Sequence, residues 1–133
     1  MAITWTVSHP VRLVVAVGKD EVTSTDILFC ADEMTNTGVI AYRKIFDLTR
    51  IARVMSQADV RAVGKRMAAL ADSHRFGPVA IVVASSGIAE LAKVFQATSV
   101  AKRPVRIFRD LYTARTWLDE IAPSDQVPRA TDP

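Results

Sequence analysis

The chain has 133 residues, of which 50% are hydrophobic and 23% charged, a composition typical of one folded domain and not of a disordered chain. Its 17 basic and 14 acidic residues give a formal net charge of +3, and the excess is spread along the sequence. The run from Lys102 to Arg109 is basic without an intervening acid. No aromatic platform or binding motif accompanies it, so we expect no nucleic-acid binding.

The sequence predicts no disulfide, no structural zinc site and no membrane span. A single cysteine, Cys30, cannot form an intramolecular disulfide, and two histidines give no zinc-binding spacing. The N-terminus lacks a basic segment followed by an apolar stretch, and no window reaches the roughly 18 apolar residues of a membrane span. We expect a cytoplasmic protein with no integral membrane segment.

Two strands are predicted at the N-terminus. Apolar and polar residues alternate over residues 3–7, the pattern of a strand with one solvent face. After His9-Pro10, residues 11–17 are almost continuously apolar and β-branched, as in a strand covered on both faces, and Gly18 closes the run. The short connection predicts an antiparallel hairpin.

Four helices are predicted, each from a start signal followed by apolar residues at every third or fourth position. Two starts have the Ser/Thr-x-x-acid form of a capping box, and the others begin at a Ser-Ser-Gly turn and at an aspartate. The start residues are Thr23, Ser56, Ser85 and Asp110. Gly38 is predicted to end the first helix, and His74 to lie in the last turn of the second.

Three further strands, at residues 44–48, 79–84 and 104–108, separate the helices, with the last at a sheet edge. This order predicts a single α/β domain over residues 1–122, with a mixed, mostly parallel sheet of about five strands, an N-terminal antiparallel hairpin and four helices. Residues 123–133 contain three prolines without an apolar period, which predicts a flexible C-terminal tail.

No group of residues points to catalysis. We interpret His9, His74 and Cys30 as structural, because none has a partner at catalytic or metal-binding spacing. The five glycines form no phosphate loop. The amides of the Ser85-Ser86-Gly87 turn could bind an anion, although an N-cap explains the turn. We therefore predict no catalytic residues, no metal and no cofactor.

Candidate regulatory or ligand contacts follow from position. Asp47 and Thr49 come at the end of the third strand, where parallel sheets meet ligands, and Ser56 stands at a helix start that would favour a phosphate group. Phe29 lies opposite the apolar arc of the first helix. It is an isolated exposed aromatic, a self-association surface or a wall of an apolar groove.

The order of elements and five local strings resemble the SpoIIAA-like family of bacterial domains, which are related to STAS domains and to SEC14-like lipid-binding folds. The strings lie at residues 17–28, 42–48, 77–82, 103–108 and 114–118, so the similarity spans about residues 3–121. The resemblance implies binding rather than catalysis. Ser56 is the nearest match to the serine phosphorylated in STAS domains, whose motif is Asp-Ser-Ser-Gly where this chain has Met-Ser-Gln-Ala.

The lipid-binding association implies an apolar groove with Phe29, Tyr42, Phe46 and Trp117 as contacts. Our first hypothesis is a non-enzymatic regulatory or protein-interaction module with an unidentified protein partner. Homodimerisation is a separate prediction that is compatible with this hypothesis. The alternative is a carrier or sensor of a small apolar, lipid-like ligand. A third hypothesis, an enzyme, would need converging polar groups with shifted pKa values in a cleft.

Overall fold

The computed structural model describes residues 2–53, 55–98 and 103–129. The strands in this part of the chain are β1 (Ile3–Ser8), β2 (Leu13–Glu21), β3 (Arg43–Arg53), β4 (Val79–Val82) and β5 (Val105–Phe108). The helices are α1 (Ser24–Asn36), α2 (Gln57–Leu70), α3 (Ser86–Thr98) and α4 (Leu111–Ile121), followed by a 3-10 turn at Ser124–Gln126. The predicted α/β class is confirmed.

The five strands form one mixed sheet in the order β1-β2-β3-β4-β5. β1 pairs with β2 antiparallel, as the predicted hairpin requires, and the other neighbours pair in parallel. Because the parallel strands follow one another in sequence order and such crossovers are right-handed, α1, α2 and α3 lie on the same face of the sheet. α4, which follows the edge strand β5, packs on the opposite face.

The sheet therefore separates two apolar layers. All four residues of β4 are buried, and they alternate between the layers. Val79 and Ile81 pack with Ala92 of α3, whereas Ala80 and Val82 pack with α4, whose contacts are Ala114 and Leu118. This burial on both faces agrees with the continuous apolar character of the segment.

The predicted helix boundaries rest on the expected hydrogen bonds. The hydroxyl of Thr23 accepts from the backbone N–H of Asp26, and the Asp26 carboxylate accepts from the backbone N–H of Thr23. The Oγ of Ser56 accepts from the N–H of Asp59 at 3.1 Å, and a carboxylate oxygen of Asp110 accepts from the N–H of Thr113 at 2.8 Å. These three start signals are confirmed.

Two strands are longer than the sequence pattern predicts. β2 continues through Gly18 to Glu21, and β3 runs on to Arg53, beyond the predicted end at Leu48. The polar extensions pair with each other, so that Lys19 faces Arg50 in the register. Most of their side chains are exposed and give no apolar pattern, although Ile51 packs against the core and Arg53 pairs with Glu21.

Other boundaries are shorter than expected. α2 ends at Leu70, so His74 is an exposed residue beyond the helix. β4 ends at Val82, and Ala84 is exposed.

The segment after residue 122 differs from the flexible tail that we expected, as far as the structure describes it. The 3-10 turn at Ser124–Gln126 is held by the Arg12 guanidinium, which donates to the carbonyl of Ser124 at 2.5 Å. Val127 is buried in the layer that contains α1 and α2. Residues 130–133 of the predicted tail lie outside the described residues. The sequence pattern did not predict this contact because a single buried valine produces no apolar periodicity.

Candidate apolar ligand site

An apolar cavity of about 150 Å³ lies between the sheet and helices α1, α2 and α3. Its floor is formed by side chains of β2, β3 and β4, and the helices supply an aliphatic roof. Typical roof residues are Ile27, Met34, Val60, Val63, Ile88 and Leu91. An apolar cavity of about this volume in another protein stays dry and binds molecules of the size of benzene. The cavity can therefore hold an apolar group of about six carbons.

The floor of the cavity follows β3 over most of its length. Lys44, Phe46 and Leu48 point into it at every second residue, as the two-residue period of a strand requires. Ile51 and Arg53 also line the cavity although they have the opposite parity. A change of register between β2 and β3 accounts for this change of parity.

This register change is a β-bulge. Val17 faces Asp47, but Lys19 faces Arg50, so β3 takes three steps where β2 takes two. The extra residue turns the following side chains to the other face of the strand, which brings Ile51 into the cavity wall. Asp47 and Thr49 are hydrogen-bonded to each other at this point.

The cavity has one end with positive charge. Lys44 lies at the start of β3, and Arg103 lies just before the edge strand β5. Phe76 lies between them, with the Lys44 Nζ 6.0 Å and the Arg103 Cζ 4.6 Å from its ring centroid. Both distances allow a cation–π interaction. The other end, near Met55 and Ile88, is lined by half-buried apolar side chains and by Arg53, whose exposed guanidinium pairs with Glu21.

Lys44 is buried, with 7% of its surface exposed. Its Nζ donates to the carbonyls of Ile40 at 2.5 Å, Tyr42 at 2.9 Å and Gly77 at 3.5 Å. Burial lowers the pKa of Lys44 well below its ordinary value of 10.5, and the positive charge of Arg103 lowers it further. The carbonyl contacts hold the side chain in place, but they supply no negative charge.

Arg103 and Cys30 complete this end of the cavity. Burial lowers the pKa of Arg103 to about 10, so the guanidinium stays positively charged at neutral pH. Burial raises the pKa of the Cys30 thiol to about 11, partly opposed by the charge of Lys44. The thiol is therefore neutral at physiological pH and acts as part of the apolar wall.

Of the residues that we predicted as contacts, Phe46 lines the cavity. Asp47 and Thr49 lie beside it on β3, but Asp47 faces away from the cavity and serves the bulge. Ser56 is an exposed N-cap of α2. The structure therefore does not bring these predicted residues into one site.

The three remaining aromatic residues lie apart from the cavity. Tyr42 is buried and its hydroxyl is 2.7 Å from Nδ1 of His9. Phe29 is 44% exposed on α1, in agreement with its position opposite the apolar arc. Trp117 packs against Phe108 on the α4 face of the sheet.

Lys44, Phe76 and Arg103 were not predicted as a group. Lys44 has the same parity as Phe46 and Leu48, so a lysine in an otherwise inward-facing row was the available signal. Arg103 belongs to the basic run that we considered only for nucleic acid. No local signal connects either residue with Phe76, because the three meet only where the starts of the parallel strands come together.

Other kinds of site find no support in the described residues. No three His, Cys, Asp or Glu side chains within them are grouped as a metal ion would require. None of the described helices is long and apolar enough to cross a membrane. The chain matches no protein-family model, no curated protein and no solved structure, so the resemblance to SpoIIAA-like domains stays a prediction.

Proposed function

We propose that this domain is a non-enzymatic carrier or sensor that binds a small apolar, lipid-like ligand in the cavity between the sheet and helices α1 to α3. The observation that carries the proposal is the cavity itself, whose wall is apolar except for Lys44, Arg103 and Arg53. Ligand cavities in proteins are mostly apolar and have a few polar groups that orient the ligand. This cavity has that composition.

The energetic cost of the cavity supports the same proposal. Each Å³ of an unfilled core cavity costs about 24 cal/mol, so a cavity of this volume costs on the order of 3–4 kcal/mol relative to a filled core. This is a large fraction of the 5–15 kcal/mol that stabilises a typical domain. A bound apolar ligand would recover part of that free energy.

The test is the binding of 1-octanol to the purified protein by isothermal titration calorimetry, with the melting temperature as a second measurement. We expect saturable binding, and a rise of several degrees in Tm when the free ligand exceeds Kd about tenfold. No binding to the wild type would overturn the proposal.

Two variants fill the cavity, and a third controls for the substitution. Ala92→Leu on α3 and Ala31→Leu on α1 place a larger side chain at buried lining positions, so we expect each to weaken 1-octanol binding at least tenfold. Ala62→Leu makes the same change at an exposed position of α2 that does not line the cavity, and should bind as the wild type does. Equal binding by all four proteins would place the ligand elsewhere.

A protein-interaction role is the second candidate, and exposed aromatic side chains favour it. Phe29 on α1 is 44% exposed and Tyr112 on α4 is 80% exposed, and exposed apolar groups are frequent in contact surfaces. The proposed contact is a homodimer through the α1 face in the cytoplasm. Sedimentation equilibrium at high micromolar concentration should show a dimer that Phe29→Ser dissociates, and a monomer at that concentration would exclude it. Phosphorylation of Ser56 stays a prediction, since capping of α2 accounts for its contacts.

A further inference from the structure

The positive end of the cavity has no matching negative charge in the described part of the chain. The ion pairs within the described residues join Arg43 and Arg115 to Asp119, Arg53 to Glu21, and Lys93 to Glu90. None of them includes Lys44 or Arg103. Lys44 is held by carbonyl oxygens, and the guanidinium of Arg103 faces the ring of Phe76.

Two basic groups without an acid are costly in an apolar environment. Buried charges in proteins are normally paired with an opposite charge, because desolvation costs several kcal/mol for each ion. Here the positive charge of Arg103 also disfavours the protonated form of Lys44. An anion at this end would remove both penalties, and the apolar wall leaves little water to compete with it.

We propose that the ligand is an aliphatic carboxylate, whose head group accepts from the guanidinium of Arg103 beside the amino group of Lys44 while its chain lies along β3 toward Met55. This inference rests on the proposed function. An arginine presents parallel N–H donors that match both oxygens of a carboxylate. A carboxylate fits this site better than a phosphate does, because a single negative charge costs less to remove from water than a double one.

The shape of the cavity defines the length of the chain. The row of Lys44, Phe46 and Leu48, continued by Ile51 after the bulge, gives an elongated floor that begins at the charged end. Octanoate is the probe, since its apolar part is close to the group of about six carbons that the cavity holds. Affinity should rise about 4-fold for each methylene from hexanoate to octanoate, as expected for about 0.8 kcal/mol per buried methylene.

The experiment compares octanoate, 1-octanol and octylamine by isothermal titration calorimetry at pH 7.5 and low salt. The three probes share one chain and differ in the charge of the head group. We expect octanoate to bind the wild type at least tenfold more tightly than 1-octanol, and octylamine to bind more weakly than either. Octyl phosphate is the fourth probe and should bind no more tightly than octanoate.

Three variants and one control assign the preference to the cavity. Arg103→Gln should bring the affinity for octanoate to within about threefold of the affinity for 1-octanol, whereas Arg103→Lys should retain most of the preference for octanoate. Arg109→Gln is the matched control, because Arg109 belongs to the same basic run but is exposed and does not line the cavity. It should behave as the wild type. Lys44→Met, which keeps the shape of the side chain, should reduce the preference less than Arg103→Gln does.

The outcomes separate this inference from the proposed function. Saturable binding of 1-octanol without a preference for octanoate would overturn the carboxylate assignment and leave the apolar site standing. The same conclusion would follow if Arg103→Gln and Arg109→Gln had equal effects, or if octyl phosphate bound more tightly than octanoate. Absence of binding by all four probes would overturn both proposals.

Discussion

Asp47 holds Thr49 by two hydrogen bonds, since its Oδ1 accepts from the backbone N–H at 2.9 Å and from the hydroxyl at 2.6 Å. These bonds stabilise the bulge at which β3 gains one residue over β2. The bulge turns Ile51 into the wall of the cavity. A pair that the sequence presented as a regulatory candidate thus shapes the cavity through the backbone.

Replacing Asp47 should therefore affect both stability and binding. Asp47→Ala removes both hydrogen bonds, which should lower the free energy of unfolding by about 1–3 kcal/mol in a urea titration. It should also weaken 1-octanol binding, because Ile51 loses its fixed direction. Thr49→Val removes only the hydroxyl bond and should have a smaller effect on both. Unchanged stability and binding in Asp47→Ala would show that the bulge does not depend on this pair.

The buried amino group of Lys44 gives stability a defined pH dependence. Its pKa is lowered by burial in the folded state and has its ordinary value of 10.5 when unfolded, so the unfolded chain binds the proton more tightly. Stability must then rise with pH from the lowered folded pKa up to 10.5, by at most about 1.4 kcal/mol per pH unit.

Lys44→Met has no such titration and serves as the reference for this effect. The difference in free energy of unfolding, wild type minus Lys44→Met, should increase as the pH is raised from 7 to 10. Urea titrations of both proteins at each pH measure it directly. A difference that stays constant with pH would mean that Lys44 keeps its ordinary pKa in the folded protein.

The thiol of Cys30 should be slow to react in the folded protein. Its pKa is raised by burial from 9.0 to about 11, and two pKa units reduce the thiolate fraction at pH 8 about 100-fold. We expect the reaction with a chromogenic disulfide reagent to be at least about 100-fold slower in buffer than in urea. Since Cys30 lines the cavity, saturating 1-octanol should slow it further. Equal rates in buffer and in urea would contradict the burial.

Gly77 is required by the close approach of two chain segments. A Cβ built on it would lie 2.1 Å from the carbonyl oxygen of Tyr42 and 2.5 Å from that of Ala41, distances at which the backbone must move. Gly77→Ala should therefore lower the free energy of unfolding by about 1–3 kcal/mol. It should also disturb the carbonyls that hold Lys44, and so weaken octanoate binding.

Gly87→Ala is the control for this substitution. Gly87 lies in the first turn of α3, and a Cβ there meets nothing within 4 Å. Alanine should stabilise the protein by about 0.5–1 kcal/mol, because it favours the helix and restricts the unfolded chain. A loss of stability in Gly87→Ala comparable with that in Gly77→Ala would contradict the steric explanation.

Much of the architecture could be predicted from the sequence because it depends on local signals. The start of α1 follows from the reciprocal bonds of Thr23 and Asp26, and its end from Gly38, which adopts a φ of 78°. The buried strand β4 follows from a continuous apolar run, and the order of strands and helices defines a parallel sheet. Each of these features is encoded within a few neighbouring residues.

The cavity and its charged end were decided by the tertiary structure. Lys44, Phe76 and Arg103 are far apart in the chain and meet because parallel strands start at one edge of the sheet. Arg43, the next residue to Lys44, points to the other face and pairs with Asp119 of α4. The alternation of a strand sends two adjacent basic residues into different environments. Composition and local pattern cannot determine which of these two side chains points toward an apolar cavity, because that depends on the packing of helices from three separate parts of the sequence.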